Sequence, residues 1–94
     1  MTEQEMNNKI KQLPEAAKED AYYKLYFQAV AAEEAMLADI DNGSPTARTD
    51  TIDIVLGDKR YSIGCWMADV VGSVFEMLHS IKEIAVEELQ HHMN

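Results

Sequence analysis

The stretch from Cys65 to His92 constrains this chain more than any other, because its apolar residues recur at spacings of three and four along some seven turns. On a helical wheel one side collects Trp66, Met67, Val70, Val71, Val74, Phe75, Met77, Leu78, Ile81, Ile84, Ala85 and Leu89. The other side carries Asp69, Gly72, Ser73, Glu76, His79, Ser80, Glu83 and Glu87. A stripe of that length and width needs a partner surface from end to end. The rest of the chain has to supply one, or a second copy does.

Upstream, Thr2 and Glu5 have the spacing of a capping box, and Met6, Ile10 and Leu13 share a face, so a short helix is expected from about Thr2 to Gln12. Pro14 ends it and suits the first turn of a new helix, which the sequence extends to about Asp41. The expected apolar face of this second helix holds Tyr22, Leu25, Tyr26, Ala29, Val30, Met36, Leu37 and Ile40. Tyr22, Tyr23, Tyr26 and Phe27 cluster locally and read as core, since aromatic residues at helical spacing are mostly packing residues. Ala31 and Ala35, near Lys24 and Gln28, offer a small-residue side for close approach. Asn42-Gly43-Ser44-Pro45 stops the helix. From Thr51 the period drops to two, and Gly57-Asp58 separates two alternating runs, the pattern of a β-hairpin. Two strands alone are marginal, so the hairpin must lie on the helices. The expected fold is α+β and mainly helical: helix, long helix, β-hairpin, long C-terminal helix, in one domain over residues 1–94.

The 94 residues carry 17 acids against 8 bases, a formal charge of -9. Direct binding to nucleic acid is disfavoured, since it draws its affinity from clustered Lys and Arg, and an anionic membrane surface is disfavoured by the same sign. A single cysteine excludes an internal disulfide and fits a reducing compartment. The polar start MTEQEMNNKIKQ is not a signal peptide, and no apolar run reaches the roughly 18 residues of a membrane span. A cytoplasmic protein, of a cell or of an infected host, is expected.

Three arrangements invite a chemical reading. Cys65 precedes Trp66 near a predicted helix start, where a thiol is acidified. A Cys-Trp pair at a helix start also occurs in papain-like proteases. The match stops at those residues and the chain is far too short for that fold, so Cys65 reads as a structural cysteine. Glu76 and His79 have the Glu-x-x-His spacing that di-iron carboxylate bundles use on two helices, but here it occurs once. His91 and His92 lie at a helix C-terminus, where a cation is favoured by the dipole alone. No catalytic residue, metal set or cofactor is assigned.

Glu33 falls inside the apolar arc of the second helix. A buried carboxylate needs a partner, whether a tyrosine hydroxyl, a backbone group, or a position at the arc's edge that keeps it wet; the functional reading is a polar anchor in a pocket or interface.

Two functions from different classes follow. In size and charge the chain is similar in overall character to phage-encoded inhibitors of host defence systems, some of which occupy nucleic-acid-binding sites. That likeness implies a non-enzymatic viral interaction protein whose acidic stripe, Asp69, Glu76, Glu83 and Glu87, engages a basic surface on a larger protein. The alternative is an oligomer sequestering an anionic small molecule near Lys24, Arg48, Lys59 and Arg60 with Tyr22 and Tyr26. Because both long helices are apolar over more surface than one hairpin and one short helix can cover, a homodimer is expected in either case.

Overall fold

A computed structural model describes residues 1–41, 51–64 and 71–93, and within these it places three helices and one antiparallel hairpin in the expected order. Helix α1 spans Glu3–Lys11, and Thr2 caps it by accepting the Glu5 N–H on its hydroxyl oxygen at 3.1 Å. Glu3 and Glu5 stand in its first turn and Lys9 and Lys11 in its last, the charge order the helix dipole favours. Met6 and Ile10 are its buried residues.

The segment after Pro14 departs from the expected single helix. Residues Glu15–Glu19 form one 3-10 turn, the chain extends at Asp20 (φ -69°, ψ 138°), and only then does α2 run from Ala21 to Asp41. The break has a local cause. Asp20 is an N-cap: its Oδ1 accepts the Tyr22 N–H at 2.8 Å, while its carbonyl accepts from Tyr23 and Lys24. A capping aspartate holds a non-helical backbone, so one helix cannot run through it.

Strands β1 (Thr51–Leu56) and β2 (Lys59–Gly64) pair from Thr51 opposite Gly64 to Leu56 opposite Lys59. The two-residue turn places Gly57 at φ +62°, while Asp58 keeps a negative φ, a pattern that fits a type II′ turn with glycine first. Helix α3 spans Val71–Leu89 and passes into a terminal 3-10 turn, Gln90–Met93. Gly43, Arg48, Cys65, Trp66, Met67, Asp69 and Val70 lie outside the described residues.

The core lies chiefly between α2 and α3, with β1 laid against α2 and α1 against α3. From α2 it takes Leu25, Tyr26, Ala29, Ala32 and Met36; from α3, Val74, Leu78, Ala85, Val86 and Leu89; from the hairpin, Ile54. Both long helices are therefore rotated from the wheel reading. Ala32 and Val86 are buried, whereas Leu37, Met77 and Ile84 stand 52%, 48% and 53% exposed. Small side chains such as Ala29, Ala32 and Ala85 share the core with Leu25, Tyr26, Met36, Leu78 and Leu89, while Leu37, Met77 and Ile84 stand outside it.

Gln28 joins the hairpin to α2. Its side-chain amide donates to the Val55 carbonyl and its amide oxygen accepts the Val55 N–H, both at 2.8 Å. Val55 thus turns its backbone groups away from β2, and one glutamine stands in for a neighbouring strand along that edge. Of the small-residue side of α2, Gln28 meets this strand, while Ala31 and Ala35 stay exposed.

Candidate functional site

Among the described residues, charged side chains fall into a set that meets partners inside the fold and a set on the surface. The internal set centres on Lys82, which is only 2% exposed although it lies on α3 between Leu78 and Ala85. Its ammonium bonds the Glu3 carboxylate and approaches Glu33 Oε1 to 2.8 Å. The second contact is an ion pair without hydrogen-bond alignment. The ammonium also lies 6.0 Å from the centroid of the Tyr26 ring. Glu33 thus has a lysine as its charged partner, and it is 19% exposed, near the edge of the apolar arc. Burial pulls the Lys82 pKa down, but the hydrogen bond to Glu3 and the paired charge of Glu33 outweigh it and leave it above the ordinary lysine value. With Tyr26 and Leu37, these groups line a cleft of about 210 Å³.

A second knot adjoins it. The N-terminal amine of Met1 donates to Glu83 Oε2 at 2.9 Å, and His79 lies 3.3 Å from the other oxygen of that carboxylate. The remaining ring nitrogen of His79 meets Glu3 at 3.0 Å. The hydrogen bond and charge of the terminal amine hold the Glu83 carboxyl below its usual range. Glu83 is thus engaged within the chain, and the Glu76-x-x-His79 spacing does not assemble a ligand set: His79 turns to Glu3 and Glu83 while Glu76 is exposed.

The acidic stripe read from the sequence is therefore split. Glu76 and Glu87 are exposed on α3, Glu83 is half-buried against the N-terminus, and Asp69 lies outside the described residues. What the wheel missed is that Glu76 and Glu87 share their exposed side with Met77, Ser80, Ile84 and Glu88. Met77 and Ile84 are one heptad apart and stand on the same stripe, so α3 presents two large apolar side chains framed by three carboxylates. The signal was present in the sequence as the spacing 76/77, 80, 84, 87/88, which a wheel centred on the core hides by assigning Met77 and Ile84 to it.

The residues read as an anion site do not converge in the same way. Tyr26 is buried beside Lys82, and Tyr22 packs half-buried against the core. Lys59 and Arg60 are exposed on β2, and Arg48 lies outside the described residues. Lys24 lines an open depression with Lys18, Tyr23, Phe27, Gln28 and Ala31. Phe27, 43% exposed, packs there against Tyr23 with the rings tilted and centroids 4.9 Å apart, and meets Tyr26 edge-on at 5.1 Å. No helix among the described residues is long and apolar enough to cross a membrane. No protein-family model matches this chain, and no curated protein or solved structure matches it.

Proposed function

We propose that this chain is a non-enzymatic interaction module that engages a basic surface of a larger protein through the exposed side of α3. The observation that carries this reading is the pairing of Met77 and Ile84, 48% and 53% exposed, with the exposed carboxylates Glu76, Glu87 and Glu88. An apolar centre with a charged rim is the usual anatomy of a transient protein interface. The rim's single sign, on a chain of net charge -9, selects a cationic partner. Surfaces of that kind commonly bind nucleic acid, so a chain seated on one acts as an inhibitor; an anti-defence inhibitor of phage type is the concrete form of the proposal. The test is the salt dependence of the complex together with charge reversal at Glu76 and Glu87.

Self-association stands beside this reading on a different surface. Phe27 and Val55, 43% and 37% exposed, flank Gln28 where the hairpin meets α2, and a second copy of this chain is the proposed occupant of that face. The sequestering of an anionic small molecule has no comparable support, since its aromatic candidates Tyr22 and Tyr26 pack into the core rather than beside Lys59 and Arg60.

A further inference from the structure

The C-terminal turn folds back onto the start of α2. His92 Nε2 lies 2.9 Å from Asp20 Oδ2, and His91 Nε2 lies 3.5 Å from the same oxygen. Adjacent residues of a helical turn normally diverge, yet these two rings stand with centroids 4.1 Å apart and both address one carboxylate oxygen. The three potential ligand atoms lie within 4.8 Å of one another.

Asp20 and His91 are each oriented by a second contact that leaves the ligand atom free. Asp20 Oδ1 accepts the Tyr22 N–H, so Oδ2 is the oxygen that points at the histidines. His91 Nδ1 faces the Glu88 carbonyl. A carbonyl only accepts, so Nδ1 carries the proton and the Nε2 of a neutral His91 ring is a lone pair. That lone pair faces a carboxylate oxygen, an arrangement unfavourable for a neutral ring and satisfied by a cation between the two, whether a proton on Nε2 or a metal ion. A backbone carbonyl on the far ring nitrogen is also the contact that orients metal-bound histidines in general.

We propose that Asp20, His91 and His92 form a binding site for one divalent transition-metal ion. Two imidazoles and a carboxylate are the ligand types of zinc sites and also suit cobalt and nickel, whereas magnesium and calcium prefer all-oxygen shells. Bonds of about 2.0–2.2 Å need ligand atoms somewhat closer than the widest separation here. A small shift of the His91 side chain, which is 62% exposed, closes that gap. Three protein ligands leave one tetrahedral position for water. The ion would tie the C-terminal turn to the N-cap of α2, so its binding energy would stabilise the fold.

The experiment uses the untagged full chain, with thermal unfolding and titration calorimetry against Zn²⁺, and Mg²⁺ as the control ion. One Zn²⁺ per chain is expected, with a melting temperature raised by roughly 10 °C at a hundredfold excess over Kd and unmoved by Mg²⁺. Co²⁺ should give the visible absorption of a tetrahedral nitrogen–oxygen site. The double variant His91→Ala/His92→Ala, which truncates an exposed and a half-buried ring, should fold and lose both signals. An equal Zn²⁺ response in that variant, or no Zn²⁺ binding to the wild-type chain at millimolar concentration, overturns the proposal.

Discussion

The Lys82 ammonium and the Glu33 carboxylate meet at 2.8 Å across the α2–α3 packing, with Lys82 2% and Glu33 19% exposed. Each charge sits where its helix otherwise carries apolar side chains, and each makes the other tolerable. Removing one alone should be costly and removing both should not. Glu33→Leu or Lys82→Leu is expected to lose about 2–3 kcal/mol. That is below the figure for a fully buried pair, because Glu33 is partly wet and Glu3 can turn to solvent. The double variant should recover to within about 1 kcal/mol of wild type. Urea unfolding of the four proteins measures this; additive losses in the double variant would show that the pair is not coupled.

The same network gives stability two pH limits. Burial works to raise the Glu3 carboxyl, but its bonds to Lys82 and His79 hold it below the ordinary glutamate value. A carboxyl depressed on folding contributes its full stability above its unfolded pKa, about 4.3, and loses it as pH falls through the folded value. Lys82 is raised instead, so its contribution is complete below its unfolded pKa, about 10.4, and is lost as pH rises further. The melting temperature should hold from about pH 5 to pH 8 and fall below about pH 4. In Lys82→Leu the acid limb should flatten, and a limb unchanged in that variant would remove Glu3 and Lys82 from the explanation.

Gln28 closes the free edge of β1 through both backbone groups of Val55. Water can replace these exposed bonds, so Gln28→Ala should cost only about 1 kcal/mol. Its sharper effect is local: the Val55 amide should exchange at least about tenfold faster, because an unpaired edge amide opens to solvent. Hydrogen exchange read residue by residue decides it. Equal protection in the variant would mean that something other than Gln28 guards this edge.

What the sequence made legible was chiefly what depends on near neighbours. Thr2 capping the Glu5 N–H and Gly57 turning the hairpin were readable because cap and turn chemistry act over two to four residues. Asp20 was equally local, a capping residue just before a periodic run, but Pro14 drew the helix start forward and hid it. Lys82 was missed for a different reason. Its position four residues after Leu78 and three before Ala85 places it in the core register, and an opposite charge in the facing arc, Glu33, was already noted. Only the two together point to a pair. The meeting of Asp20 with His91 and His92 depends on how α2 and the terminal turn come together, and that of Met1 with Glu83 on how α1 lies on α3, which no spacing in the chain encodes.

Phe27 and Val55 present the apolar face proposed to bind a second copy of this chain. Light scattering at micromolar concentration should give about twice the 10.6 kDa chain mass. The variant Phe27→Glu should run as a monomer with its melting curve little changed. A wild-type protein that scatters as a 10.6 kDa monomer contradicts self-association.

The central claim is that the exposed side of α3 binds a cationic partner, and charge reversal against salt tests it most directly. The intact chain is used to isolate a partner from native lysate, and the purified complex is then titrated across ionic strength. Affinity should fall steeply with added salt, Glu76→Lys/Glu87→Lys should slow association by at least about tenfold, and Met77→Ser/Ile84→Ser should speed dissociation. Reversing Glu15 and Asp58, exposed on other elements, should do much less. A complex indifferent to salt and to both α3 variants would contradict the account.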